Sequence, residues 1–155
     1  MTSHIPTGVP SLNVYIVQSD TDAAIKWYTE NLGAKETLRL PGPGGQGVMH
    51  AEIELHGSTL MMSDANADWG TAAPGDLSNF TLTLYVPDCD AVFQQCLNAG
   101  AIELDPVTDQ FWGDRAGKLR DPFGHCWMIM THKEDVSNEE MKARYEAWMS
   151  QIGSG

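Results

Sequence analysis

Apolar and polar residues alternate along much of this chain, and two segments break the alternation with a longer period. Residues 12–17 place an apolar side chain at every second position, which predicts a half-buried strand. Residues 22–31 space their apolar side chains three and four apart, with an aspartate before them and Gly33 after them. This spacing predicts an amphipathic helix with a cap at each end. The pattern therefore predicts a mixture of strands and helices.

The same pattern occurs twice. Residues 18–36, QSDTDAAIKWYTENLGAKE, are similar to residues 86–103, VPDCDAVFQQCLNAGAIE, at an offset of 68 residues at the start and 67 at the end. Residues 57–61 match residues 124–128 at the same offset of 67. A repeat of this length is too short for an independent domain. It predicts two half-domains that share one core.

Each half is predicted to be strand–helix–strand–strand–strand. The first half has strands at about 12–17, 35–40, 48–56 and 58–63; the second has strands at about 79–86, 101–107, 114–120 and 126–131 and a helix at about 89–98. We expect one α+β domain over residues 1–155: module one at about 10–64, a linker at 65–78, module two at about 79–132 and a C-terminal helix at about 137–150. A capping box at Ser137 begins this helix, and its apolar stripe is expected to pack on the body or on a second subunit.

Composition excludes several classes of partner. The net charge of −12 argues against nucleic acid and against an anionic membrane surface. No apolar run is long enough to span a bilayer, and the start does not read as a signal peptide. Three cysteines without a paired framework indicate a reducing, cytoplasmic setting. The segment 153–155, Gly-Ser-Gly, reads as a cloning remnant.

Strand alternation also predicts which side chains face away from the two helices. If the two halves curve together, these faces line one shared cavity, with polar groups, tyrosines and methionines that suit a flat apolar ligand. For the methionines, ordinary filling of the interior is the alternative. The candidate ligand-binding residues are Asn13, Tyr15, Glu52, Met61, Thr81, Thr83, Tyr85, Trp112, Arg115, Cys126 and Met128.

The polar face of the third strand carries the candidate catalytic residue, His50. His50, Glu52 and His56 alternate on this strand and are the best candidates that the residues offer for a metal site. The favoured alternative is a polar strand face that contacts water or a hydrogen-bonding ligand. Histidine is also the side chain that most readily exchanges a proton near neutral pH. His50 is therefore a candidate acid–base group.

The loop before the seventh strand has two interpretations. Trp112 and Arg115 can form a gate in which an aromatic wall and a guanidinium hold a carboxylate or phosphonate. Alternatively, Asp114 and Arg115 form an internal ion pair that rigidifies the loop. Cys126 is expected to be a buried, inert thiol rather than a reactive one. The segment 42–47 fits GxGxxG, but a strand follows it instead of a helix, so a dinucleotide site is rejected.

D-x-D-A precedes a helix, LG follows it, and DPFGH occupies residues 121–125. With these motifs the chain resembles the vicinal oxygen chelate superfamily, which includes glyoxalase I, extradiol dioxygenases and bleomycin-resistance proteins. The stretches His50-Ala-Glu52, DQFWGDR at 109–115 and THKEDVS at 131–137 resemble its PhnB-like branch. The resemblance implies two βαβββ modules that form an eight-stranded half-barrel around a central cavity, in a homodimer.

Enzymes of this superfamily hold a divalent metal with one side chain each from the first, fourth, fifth and eighth strands. The resemblance places these positions at Asn13, Met61, Thr81 and Met128. None of these is a good ligand for Zn²⁺, Fe²⁺ or Mg²⁺. No cofactor is therefore predicted, and metal-dependent isomerase, lyase or dioxygenase chemistry is disfavoured.

Three functional hypotheses follow. The first is a metal-independent protein that binds a small aromatic or anionic molecule, as a sequestering or resistance-type protein does. The second is a glyoxalase-like or dioxygenase-like enzyme with a divalent metal relocated to His50 and Glu52. The third is a metal-free catalyst that uses His50 as its base.

Overall fold

The computed structural model describes residues 4–152, and the chain divides after Leu77 into two compact units. We call residues up to Leu77 unit 1 and residues from Ser78 onward unit 2. Each unit contains a four-stranded sheet, in which a parallel strand pair adjoins antiparallel ones, and a helix between its first two strands; unit 2 has a further helix at its end. The order strand–helix–strand–strand–strand occurs in both units, as predicted.

Unit 1 forms a βαβββ module. Its sheet has the strand order β1-β4-β3-β2, with β1 parallel to β4 and the other pairs antiparallel. The elements are β1 (Val14–Gln18), α1 (Thr21–Leu32), β2 (Lys35–Pro41), β3 (Val48–Leu55) and β4 (Ser58–Asp64).

Helix α1 begins and ends where the sequence indicates. The Asp20 carboxylate accepts a hydrogen bond from the Ala23 amide at 3.0 Å, which caps the first turn. Gly33 ends the helix with φ at 73°, a left-handed conformation that glycine adopts without strain. The apolar face of the helix is buried, with Ile25, Tyr28 and Leu32 on it. The helix therefore covers one side of its sheet.

Unit 2 repeats the module with the strand order β5-β8-β7-β6, and β5 is parallel to β8. The elements are β5 (Thr81–Tyr85), α2 (Cys89–Asn98), β6 (Ile102–Asp109), β7 (Asp114–Arg120), β8 (Cys126–His132) and α3 (Asn138–Ile152). Asp88 caps α2 through the Ala91 amide at 3.0 Å. Phe93 and Cys96 are its buried face.

The C-terminal helix α3 packs on its own unit. The Ser137 hydroxyl accepts from the Glu140 amide at 3.2 Å, which confirms the predicted cap. The Phe111 ring lies 5.7 Å from that of Tyr145 and 5.5 Å from that of Trp148, measured between ring centroids. Both α3 rings nevertheless stay about half exposed. The homodimer remains a prediction.

Strand β3 departs from regular alternation at its two ends. Val48 is buried and Met49 is exposed, because the pairing of β2 with β3 shifts register beside residue 48. His56 lies beyond the strand, in the hairpin turn, with φ at 47°. Its imidazole Nε2 contacts the Leu32 carbonyl at 3.1 Å, at the end of α1. The prediction that His56 shares a strand face with His50 is therefore wrong.

The predicted α+β class is confirmed: two βαβββ modules are followed by a C-terminal helix. A half-barrel around one cavity, and one domain over residues 1–155, stay predictions. In the part of the chain that the structure describes, no helix is long and apolar enough to cross a membrane. The segment 153–155 lies outside the described residues.

Candidate functional site

Each sheet has one face under its helix and one face turned away from it, which we call the open face. A row of three residues crosses the open face of each sheet in equivalent positions. In unit 1, Met61 is paired with Tyr15 on one side and with Glu52 on the other. In unit 2, Met128 is paired in the same way with Thr83 and Lys118. The two rows therefore share a central methionine and differ in charge.

The open face of unit 1 joins three predicted site residues through hydrogen bonds. The Tyr15 hydroxyl lies 3.2 Å from Nδ1 of His50, and the two rings are 5.6 Å apart. On the other side of the imidazole, Nε2 of His50 lies 3.2 Å from Oε1 of Glu52. Tyr15 is 47% exposed, while the side chains of His50 and Glu52 are about one-quarter exposed. The tyrosine hydroxyl is thus the outermost group of this chain of contacts.

The open face of unit 2 contains a small cavity of about 60 Å³. Its walls combine the Trp112 ring and the Met128 thioether with polar side chains. Among residues 4–152, no hydrogen bond or ion pair engages the Lys118 side chain. The lining residues are Asp105, Gln110, Trp112, Ala116, Gly117, Lys118 and Met128.

Beside this cavity, the buried carboxylate of Asp114 accepts three hydrogen bonds. Tyr85 Oη donates to it at 2.7 Å and Trp112 Nε1 at 3.0 Å, both to Oδ2. Nδ1 of His132 lies 2.7 Å from Oδ1. Only 4% of Asp114 is exposed. Two predicted site residues, Tyr85 and Trp112, therefore share Asp114 as their acceptor. The sequence had suggested Arg115 as the partner of Asp114.

These contacts shift the proton equilibria of two donors. The hydrogen bond to Asp114 raises the pKa of the Tyr85 hydroxyl above its usual value, and burial adds to the effect. The hydrogen bond to Asp114, followed by one to Asp135, raises the pKa of His132. Both donors therefore hold their protons more tightly than the free side chains do.

The predicted Asp114–Arg115 ion pair does not form. Arg115 donates to both oxygens of Asp90, from Nε at 2.7 Å and from Nη2 at 2.8 Å, and reaches Asp109 at 3.1 Å. These hydrogen bonds, with those to Asp90 foremost, raise the pKa of Arg115. Successive strand residues point to opposite faces, so Arg115 lies on the face opposite to Asp114. The two residues are adjacent in sequence and yet serve different networks.

The four positions where the resemblance places metal ligands do not fit a divalent metal. The amide of Asn13 donates to the Pro10 carbonyl at 2.7 Å. Thr81 offers only a hydroxyl, and Met61 and Met128 offer thioethers, which suit soft ions. Across residues 4–152, no three His, Cys, Asp or Glu side chains form a group able to hold a metal ion.

Other predicted residues are placed as follows. Thr83 is exposed on the open face of unit 2, and Cys126 is buried at the start of β8, opposite Thr81. Lys118 was missed by the sequence analysis. Alternation continued from Asp114 through Ala116 places it on the open face, beside Met128. That signal was present in the sequence, whereas the contacts of Arg115 depend on tertiary pairing.

The amino-acid sequence is similar to those of several known bacterial proteins. An uncharacterized protein of Mycobacterium bovis is 36% identical over 151 residues, covering 94% of this chain and 96% of that protein. Protein YjdN of Escherichia coli is 33% identical over 90 residues, covering 56% of this chain and 58% of YjdN.

Solved structures show the same fold. TioX from Micromonospora is 27% identical with a TM-score of 0.63, over 80% of this chain and 99% of that chain. A PhnB protein from Bacillus cereus is 18% identical with a TM-score of 0.62, over 79% of this chain and 99% of that chain. At this identity the PhnB protein supports the fold alone. The family model for the glyoxalase/bleomycin resistance protein/dioxygenase superfamily matches residues 11–129, and the chain belongs to that superfamily.

Proposed function

We propose that this protein binds a small aromatic anion without the aid of a metal, on the open face of unit 2. The observation that carries the proposal is the position of Lys118. Its ammonium has no hydrogen-bond or ion-pair partner among residues 4–152, and it lines the cavity together with an aromatic ring and a thioether. Trp112 and Met128 supply a flat, polarisable surface for a ring, and Lys118 supplies the charge for a carboxylate or similar group.

Lys118 is a better anion anchor than Arg115, which lies on the same strand, β7. Arg115 already has its guanidinium directed at Asp90 and Asp109. A ligand would have to displace these carboxylates, whereas no side chain among residues 4–152 has to be displaced from Lys118. The expected role of Arg115 in ligand binding is therefore transferred to Lys118.

The net charge of the chain does not prevent such binding. A formal charge of −12 repels anions at long range. Salt screens exposed charges beyond roughly 8 Å at physiological ionic strength, so the ammonium group within contact distance dominates. The repulsion slows association more than it weakens the bound complex.

The cavity also limits the mode of binding. A volume of about 60 Å³ corresponds to about two water molecules in the liquid. It can receive the edge of a ring while the remainder of the ligand lies along the open face. We infer a sequestering role, in which this face holds the ligand and Lys118 neutralises its charge.

Calorimetric titration with naphthoate, and with neutral naphthamide for comparison, tests the proposal. Lys118→Gln should weaken naphthoate binding by about ten-fold or more and leave naphthamide unaffected, because only the carboxylate contacts the ammonium. Trp112→Ala should weaken both by about ten-fold. Equal naphthoate affinities for the wild type and Lys118→Gln would contradict the proposal.

Two controls complete this experiment. Arg115→Gln removes a cation from the same strand and should leave naphthoate affinity unchanged, since that guanidinium serves Asp90. Treatment with a chelator should also leave affinity unchanged. A loss of binding that added Zn²⁺, Fe²⁺ or Mn²⁺ restores would instead support the relocated metal at His50 and Glu52.

A further inference from the structure

The geometry of unit 1 points to a second site, and we propose that Tyr15, His50 and Glu52 form a metal-free proton relay whose outer group is the tyrosine hydroxyl. The proposed relay uses residues of unit 1 alone, and the argument for it does not rest on the anion site of unit 2. Its ligand class is a small molecule with a weakly acidic proton, such as a phenol or an enolisable carbonyl compound.

The first step of the argument is the direction of the inner hydrogen bond. A carboxylate accepts hydrogen bonds and donates none, so the hydrogen between Glu52 and His50 belongs to Nε2 of the imidazole. A neutral imidazole carries one hydrogen, which leaves Nδ1 as an acceptor. Glu52 therefore fixes the tautomer in which His50 can take a proton from Tyr15.

The second step concerns the outer hydrogen bond. With Nδ1 as acceptor, the Tyr15 hydroxyl donates its only hydrogen to His50 across 3.2 Å. Its oxygen then presents two lone pairs outward, and 47% of the residue is exposed. A group held this way accepts hydrogen bonds from a ligand and cannot donate one. The ligand must therefore bring the acidic proton.

Enzymes activate a nucleophile or a base with a similar arrangement of three groups. A reactive group lies within hydrogen-bond reach of a base, and a third group orients that base. Both distances of 3.2 Å are at the long end of the usual range, as is common for catalytic contacts before a ligand binds.

The proton transfer balances without a co-reactant. The ligand's O–H or C–H bond breaks as its proton joins the Tyr15 oxygen, and the electron pair stays on the ligand. At the same time the original Tyr15 proton moves to Nδ1 of His50. The product is a ligand anion and an imidazolium, and the Glu52 carboxylate stabilises the imidazolium.

Tyrosine labelling with an arylsulfonyl fluoride measures this activation directly. The Tyr15 oxygen displaces fluoride at sulfur, its proton passes to His50, and peptide mass spectrometry reports the rate at each tyrosine. Tyr85 and Tyr145 are internal controls, because their exposures of 53% and 45% bracket the 47% of Tyr15. Exposure alone therefore predicts equal labelling rates for the three residues.

The proposal predicts that Tyr15 reacts faster than Tyr145 by about 10²-fold, the lower limit typical of general base catalysis. Tyr85 should react most slowly, since its hydroxyl is bound to Asp114. His50→Gln should reduce the Tyr15 rate to that of Tyr145, and Glu52→Gln should reduce it part of the way. A Tyr15 rate no faster than that of Tyr145, or one insensitive to His50→Gln, overturns the relay.

A spectroscopic measurement guards against misfolded variants. Long-range ¹H–¹⁵N spectra of the wild-type protein report which nitrogen of His50 carries the hydrogen. The relay requires that hydrogen on Nε2, and a hydrogen on Nδ1 would overturn it. Naphthoate binding in the same samples reports on unit 2, so failure of the relay and failure of the anion site are distinguishable.

Discussion

The open faces of units 1 and 2 are built on the same frame and carry opposite chemistry. Met61 and Met128 occupy the centres of the two rows. In each module, the first and the third strand flank the strand that carries the methionine. Glu52 and Lys118 hold equivalent positions on the third strands of their modules. The first is bound to His50, and the second is unengaged within the described chain.

The two tyrosines of these faces show how much the acceptor matters. Tyr15 and Tyr85 are similarly exposed, yet one hydroxyl contacts an imidazole and the other a buried carboxylate. An imidazole can take a proton and share the resulting charge with Glu52. Asp114 accepts hydrogen bonds from three donors, and its bond with Tyr85 raises the pKa of the Tyr85 hydroxyl. A duplicated fold thus supplies one mobile proton and one fixed one.

The largest expected effect on stability comes from removing the carboxylate of each face, Asp114 in unit 2 and Glu52 in unit 1. Asp114→Ala leaves the donors of Tyr85, Trp112 and His132 without their shared acceptor, and we expect a loss of about 3–5 kcal/mol in the free energy of unfolding. Glu52→Ala should cost less than about 1 kcal/mol, because Glu52 and His50 are both in contact with solvent.

Urea unfolding followed by circular dichroism measures both changes. Asp114→Asn is the matched control, since it keeps the shape of the side chain and loses the charge. Similar losses of unfolding free energy for Asp114→Ala and Glu52→Ala would show that the hydrogen bonds to Asp114 stabilise unit 2 no more than the contact of Glu52 with His50 stabilises unit 1.

A second comparison concerns the faces under the helices. Ala51 and Gly117 are equivalent, since they pair with Met62 and Ile129 at matching points of the two sheets. A Cβ added at Gly117 would lie 2.8 Å from Cε2 of Phe93 and 2.7 Å from Cγ2 of Val107. Gly117→Ala should therefore lower the free energy of unfolding by about 1–3 kcal/mol through overpacking.

Ala51→Gly is the matched variant in unit 1, and the same unfolding experiment measures it. It removes one buried methyl group and should cost roughly 1 kcal/mol, through the lost burial and the added freedom of the unfolded chain. If Gly117→Ala proved neutral, α2 would have room to move away from its sheet, and the two modules would be packed alike.

Much of the fold was predictable from the sequence because it depends on local signals. The caps at Asp20 and Asp88, the glycine after α1 and the alternation of β3 and β8 each act within a few residues of chain. The duplication then transferred each assignment from one module to the other. These signals decide which face of a strand is buried, and they decided the fold class.

The site was less predictable, because its contacts join residues distant in sequence. Tyr15 and His50 are 35 residues apart, and Arg115 reaches Asp90 across 25. No periodicity reveals which carboxylate a guanidinium meets. His56 was misplaced for a different reason: the strand ended one residue earlier than the alternation indicated, and a turn redirected its ring.

The smallest predicted effect concerns the half-exposed His132 of unit 2. Its pKa is raised by the hydrogen bond to Asp114 and then by that to Asp135, so the folded protein binds this proton more tightly than the unfolded chain does. Stability from this group is fully present below the unfolded pKa of about 6.5 and is lost as pH rises through the raised folded value. His132→Gln should therefore destabilise the protein at low pH and matter least at high pH. Urea midpoints of the wild type and the variant across this range measure the difference, and a difference that grew with pH would show that Asp114 does not hold the imidazolium. Since Asp114 also binds Tyr85, such a result would weaken the contrast between the fixed proton of unit 2 and the mobile one of unit 1.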